Sequence, residues 1–245
     1  MKLKMSVLAT AVAMTIAGMA SADDLRIATE GAYPPFNEKT AAGELVGFDV
    51  DIAKALCAEM KRTCVIVAQD WDGIIPGLVN NKYDAIVASM SITDERKQSI
   101  DFTNPYYSNY IAIIAKDGSG FTQDDVSSKA IGAQRSTVAS EWAEDAAGAR
   151  GDVKLYDTQT AAYSDLESGR IDALVSDLLP AVDWMKSNPG YGMVGNKIDI
   201  NDKIGIGLRK GEDDLKAAFN AALVAIRENG TYEKISDKYF GVDIF

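Results

Sequence analysis

The sequence predicts an α/β protein organised as two similar lobes, and three features point that way. Short β-rich runs alternate with helical patterns along most of the chain, as in a sheet covered by helices. Residues 78–89 are echoed by residues 166–177 at a constant offset of 88, each reading as helix end, tight turn and buried strand. In both copies a polar residue, Ser89 or Asp177, arrives where the strand ends. That offset is far beyond the period of stacked repeats, roughly 20–50 residues, so the echo suggests paired lobes rather than an array. A polar turn, Asp-Ala and an apolar strand is also a common local solution that can recur by chance.

Periodicity gives the elements in order. Apolar runs at 25–28, 65–67, 85–88, 111–115, 130–133 and 173–176 have the length and composition of strands. Helical patterns fall between or after them at 74–80, 138–147, 163–168 and 215–229. The pattern over 49–60 is apolar at 50, 53, 56, 57 and 60, with Asp49 standing where an N-cap would. Gly230 suits the C′ position after the long helix, and a short helix over 232–239 follows. Ligands of open α/β sheets bind beyond the carboxyl ends of strands, so two facing lobes would enclose a small-molecule cleft.

Composition narrows the chemistry. The 245 residues include 25 Lys+Arg and 36 Asp+Glu, a formal charge of −11, and 47% are apolar, which suits a globular chain with a sizeable core. The acid excess argues against nucleic acid or an anionic membrane as partner. There is no histidine, which removes His-based triads, His-ligated metals and imidazole acid–base chemistry. Two cysteines are too few for a cysteine-rich zinc site. No metal and no cofactor are expected.

Lys2 and Lys4 precede an apolar run from Ser6 to Met19 that closes on Ala20-Ser21-Ala22. This is the pattern of a cleaved secretory signal peptide over residues 1–22, and the run is shorter than the roughly 20 residues that span a bilayer. Cleavage would leave 223 residues with charge −13 and no segment apolar enough to enter the membrane. In an oxidising compartment, a bridge between Cys57 at a helix end and Cys64 at the next strand is the natural pairing, with two buried thiols as the alternative. Closing so short a loop would stabilise by roughly 2–3 kcal/mol.

Six segments then occur in order: Tyr33-Pro34-Pro35-Phe36, Gly47-Phe48-Asp49, Asp84-Ala85-Ile86, Ser89-Met90-Ser91-Ile92-Thr93-Asp94-Glu95-Arg96, Gly169-Arg170-Ile171-Asp172-Ala173 and Gly230-Thr231-Tyr232. Together they resemble the polar amino-acid-binding proteins of ABC importers, solute-binding protein family 3. The likeness is nearest to the lysine/arginine/ornithine- and histidine-binding members and covers essentially all of residues 23–245. It implies the two-lobed periplasmic-binding-protein fold with a hinge of two connecting strands. Lobe one would be residues 23–108 plus 204–245, lobe two 112–195, and the hinge about 109–111 and 196–203. It further implies a periplasmic monomer that delivers an amino acid to an inner-membrane ABC permease and performs no chemistry.

The resemblance assigns ligand-binding roles to nine residues, each with a plainer reading beside it. Arg96, three residues after the N-cap candidate Thr93, would hold a carboxylate together with a free helix N-terminus; otherwise it pairs with Asp94 or Glu95 at the surface. Ser89 and Ser91, alternate residues of an extended run, would offer hydroxyls to an ammonium or carboxylate, or else satisfy a turn. Thr137 would bind the same carboxylate or cap a helix, and Asp177 would take the α-ammonium or be a solvated loop acid. Tyr33 and Trp71 would sandwich the ligand side chain or pack in the core, and Trp71, between Asp70 and Asp72, should be partly at the surface. Glu30 matches the position that meets a cationic tip, and Asp49 would assist through water or cap its helix. Two departures, Ala88 for a serine and Arg135 for a small residue, remove a hydroxyl and add positive charge near the cleft. The resulting ligand is a cationic L-amino acid (arginine, lysine, ornithine or histidine) or a guanidino or opine relative. A dehydratase-type enzyme on the same scaffold, with Glu30 or Asp177 as acid, is the rival, and a sensor docking on a receptor is another.

Overall fold

The structure, a computed structural model, describes residues 24–245; the signal-peptide segment lies outside the described residues. Two sheets organise the chain. The first has the strand order Cys64–Ala68, Leu25–Thr29, Ala85–Ile86, Gly207–Arg209, Ile100–Phe102, with its first three strands parallel and the last two joined antiparallel. The second runs Asp152–Tyr156, Ala130–Gln134, Ala173–Asp177, Tyr107–Lys116, Tyr191–Met193, again parallel over three strands and antiparallel beyond. The echoed segments supply the third strand of each order, so the sequence repeat marks equivalent places in two lobes.

Both faces of each sheet are covered, which explains strands that read as continuous apolar runs. In the second sheet Ile111, Ile113, Ile131 and Val175 pack against the helix Val138–Ala147, while Ala112, Ile114 and Leu174 face Gln159–Glu167 and Leu178–Ser187. In the first sheet Ile27 and Val87 pack with the helices Phe48–Glu59, Asp213–Glu228 and Thr231–Phe240, and Ala28 and Ile86 with Trp71–Val79. Burying each Ile or Leu completely contributes about 1.5–3 kcal/mol.

Two of the sequence motifs meet at the start of the helix Phe48–Glu59. Gly47 has φ +126°, and a Cβ there would lie 2.2 Å from the Phe36 carbonyl oxygen, so only glycine fits. The N–H groups of Phe48 and Asp49 donate to the carbonyls of Pro35 and Phe36 at 3.0 and 2.8 Å. Backbone oxygen therefore caps this helix, and the expected Asp49 cap does not form. Cys57 and Cys64 are joined in a disulfide that ties this helix to the strand Cys64–Ala68.

Several boundaries move for local reasons. The helix expected over 163–168 starts at Gln159, because the Thr158 hydroxyl caps it by accepting from the Ala161 N–H at 3.2 Å. The helix Leu178–Ser187 is absent from the sequence-predicted elements; its Pro180 lies in the first turn, where a missing N–H breaks no helical bond. Between the sheets, Tyr107, Ser108 and Asn109 pair antiparallel with Ile204, Lys203 and Asp202, two adjacent segments that run from one lobe to the other. Among the described residues no helix is long and apolar enough to cross a membrane.

Candidate functional site

A cavity lies between the lobes, at the carboxyl ends of their parallel strands. Eight of the nine candidate residues line it: Glu30, Tyr33, Trp71, Ser89, Ser91 and Arg96 from lobe one, Thr137 and Asp177 from lobe two. Ala88, Gln134 and Val138 complete the wall. Glu30 follows the strand Leu25–Thr29, Gln134 ends Ala130–Gln134 and Asp177 ends Ala173–Asp177, so strand termini aim all three inward. The lobes are in direct contact around it. Tyr33 OH donates to Asp177 at 2.6 Å, Gln134 Nε2 donates to Glu30 at 2.8 Å, and the Ser136 carbonyl accepts from both Trp71 Nε1 (3.1 Å) and Arg96 (2.9 Å).

Arg96 is half-buried, and its guanidinium donates to two backbone carbonyls, those of Ser91 (2.8 Å) and Ser136, while stacking 5.3 Å from the Trp71 ring centre. It does not pair with Asp94 or Glu95; Asp94 is held by Lys97 instead. Burial pushes its pKa down, opposed by Glu141, Asp202, Asp177 and Glu95 at longer range. Thr93 does cap the segment by accepting from the Arg96 N–H at 3.2 Å, but the helix is the single turn Arg96–Ser99. The helix that opens onto the cavity is the ten-residue Val138–Ala147.

The hydroxyls are committed more fully than the sequence suggests. Ser89 has φ +51°, a left-handed backbone, so strand alternation is not what turns it and Ser91 to the same cavity. Ser89 Oγ donates to Asp49 at 2.9 Å and Ser91 Oγ donates to Asp202 at 3.0 Å. With their protons directed at buried carboxylates, both present lone pairs to the cavity and suit an ammonium rather than a carboxylate. Thr137 Oγ1 donates to the Gln134 carbonyl (2.7 Å) and accepts from the Ser140 N–H (3.1 Å), so its hydroxyl is a helix cap.

Asp49 lies under the cavity, 0% exposed, and accepts from Asn37, Ser89 and Tyr106 at 2.9, 2.9 and 2.7 Å. It supports Ser89 and does not line the site. Trp71 is 9% exposed, not a surface residue as its acidic neighbours suggest. Arg135 also stands outside the cavity, paired with Asp157 at 2.9 Å and reaching Asp72 of the other lobe at 4.0 Å. Sequence reasoning missed Gln134 and Asp202. Gln134 carried a readable signal, a polar residue ending an apolar strand; the partner of Ser91, 111 positions away, carried none.

Three buried carboxylates are held above their ordinary range, in each case mainly by burial. Glu30 is raised to about 7, with Asp70 and Asp72 adding to the burial and the Gln134 hydrogen bond opposing it. Asp177 is raised to about 6, against the Tyr33 hydrogen bond and the attraction of Arg96, with Asp202 adding to the rise. Asp49 is raised to about 6 against its three hydrogen bonds. No group of His, Cys, Asp and Glu among the described residues is arranged to hold a metal ion.

Two lobes that meet over a cavity, each supplying polar groups to it, define a protein that encloses a small solute. The chain belongs to the bacterial extracellular solute-binding proteins, family 3, whose sequence profile matches residues 25–242. It is 43% identical over 231 residues to the L-arginine-binding protein of Pseudomonas aeruginosa, covering 90% of this chain and 89% of that one. It is 35% identical to the lysine/arginine/ornithine-binding periplasmic protein of Escherichia coli, with 99% of both covered. Among solved structures, an ancestral arginine-binding protein bound to arginine superposes with a TM-score of 0.82 at 37% identity, over 90% of this chain and 99% of that one. The family is one of binding proteins, and the dehydratase reading gains nothing from these relatives.

Proposed function

We propose that this protein is a periplasmic solute-binding protein that encloses a cationic L-amino acid and presents it, as a monomer, to an inner-membrane ABC permease. One observation carries the choice of ligand. The cavity holds one cation, Arg96, and two carboxylates, Glu30 and Asp177, and none of the three has an ion-pair partner among the described residues. A buried charge without a counter-charge costs several kcal/mol. A cationic amino acid is the exact inverse: one carboxylate and two positive groups.

Each charge then has its place. The ligand carboxylate meets Arg96 and the N-terminal end of the helix Val138–Ala147, beside Thr137. The α-ammonium meets Asp177 and the lone pairs of Ser89 and Ser91. The side chain passes between Tyr33 and Trp71, and its positive tip reaches Glu30. The arginine-, lysine- and ornithine-binding relatives support this reading. The segments about 109–111 and 196–203 act as the hinge, with residues 23–108 plus 204–245 and residues 112–195 as the moving lobes. Because ligand groups touch both lobes, the ligand favours the closed form by the difference in contacts. Residues 1–22 serve as the export signal and are removed.

The test is thermal unfolding of the mature chain with L-arginine, L-lysine, L-ornithine, L-histidine, L-glutamine and L-glutamate. A ligand that binds only the folded form raises the midpoint with the logarithm of its concentration. A rise with cationic amino acids, absent in Arg96→Met, supports the assignment. A rise confined to glutamate or glutamine removes Glu30 from its role.

A further inference from the structure

We infer that Gln134 makes the distal end of the cavity select a guanidinium over an ammonium. The inference rests on the function proposed above and adds a choice among cationic ligands. Gln134 is 2% exposed at the end of a lobe-two strand and faces Glu30 across the cavity. Its Nε2 donates to Glu30 Oε1 at 2.8 Å and to the Asp157 carbonyl at 3.3 Å. A primary amide carries two N–H donors, and the Asp157 carbonyl is an acceptor that cannot donate in return. This fixes the amide: its oxygen points away from Asp157 and Glu30 and accepts no hydrogen bond from the described residues. Glu30 Oε2 likewise has no hydrogen-bond donor among the described residues.

The distal wall therefore presents two open acceptors, one charged and one neutral, on residues from opposite lobes that are themselves hydrogen-bonded. A guanidinium has five N–H donors in a planar fork and is weakly hydrated, so it can serve both acceptors at once. An ammonium is a compact, strongly hydrated point charge, and a neutral amide oxygen replaces little of its shell. The same fork would contact Glu30 of lobe one and Gln134 of lobe two, so a guanidino ligand also joins the lobes at this end. A side chain ending in an ammonium is held there by Glu30 alone.

The experiment is calorimetric titration of the mature protein and its Gln134→Met variant with L-arginine and L-lysine. Both ligands lose the lobe-to-lobe hydrogen bond of Gln134 to Glu30, and arginine should weaken about tenfold or more beyond the loss seen with lysine, collapsing the preference. Gln134→Asn, which withdraws the amide by one methylene while keeping its polarity, should show the same collapse and guards against misfolding of the first variant. Equal losses for both ligands, or none, overturn the inference and leave the cationic-ligand reading standing. If the unmodified protein binds neither amino acid, the proposed function falls and this inference with it.

Discussion

The echoed segments end in the same corner of the two lobes yet place their charge at different depths. In lobe one the strand Ala85–Ile86 leads to Ser89, which is neutral, left-handed in backbone, and donates into Asp49 beneath the cavity. In lobe two the strand Ala173–Asp177 ends in a carboxylate that itself lines the cavity, in an extended backbone at the start of a helix. The lobe-one charge is completed inside its own lobe, by Asn37, Ser89 and Tyr106. The lobe-two charge takes hydrogen bonds from Asn109 in the connecting segment and from Tyr33 across the cleft. One corner is finished before the lobes meet, and the other only when they do.

Five experiments can break or sharpen that contrast, in order of expected size. Arg96→Met should weaken arginine binding by at least about a hundredfold, since the ligand carboxylate would be buried without a counter-charge worth roughly 3 kcal/mol or more. Asp177→Asn should follow, at about 10–100-fold, read by calorimetry; an unchanged affinity would mean that lobe two does not carry the ammonium.

The third test is pH. Glu30 and Asp177, raised to about 7 and about 6, must be ionised to hold a cation, and arginine stays charged throughout. Protons therefore compete with ligand, and arginine affinity should fall as pH is lowered from 8 through 7 and 6. Glu30→Gln should bind more weakly at pH 8 and lose the upper part of that decline. A flat profile in the unmodified protein would place the positive tip elsewhere.

Tyr33→Phe removes the cross-cleft hydrogen bond to Asp177 and should cost about 1 kcal/mol, or roughly fivefold, mostly in dissociation rate by stopped-flow. Smallest is Arg135→Ala. Its exposed pairs with Asp157 and Asp72 bind no ligand, so dissociation should quicken about twofold at most, equally for every ligand, and less in high salt.

Local signals made much of this protein legible. Gly47 and the Pro35-Phe36 turn are neighbours in space because backbone geometry leaves few alternatives, and the strands announced themselves by being apolar on both faces. Polar residues at strand ends located Ser89 and Asp177, and the same rule applied to Gln134 would have added it. Side-chain direction was far less legible. Asp49 has the sequence position of a cap and serves as a buried acceptor; Thr137 has the look of a ligand contact and uses its hydroxyl as a cap.

The sequence by itself determined the α/β alternation, the two-fold echo and the pairing of its two cysteines, while the charged groups of the cavity followed from the family resemblance. These depend on periodicity, chain proximity and residue type, all of which are written locally. Only the tertiary structure decided which donors were already committed and which charges were left without partners. That outcome depends on contacts such as Ser91 with Asp202 and Gln134 with Glu30, over 111 and 104 positions. A hydrogen bond is satisfied within about 3 Å, a distance that no spacing along the chain encodes.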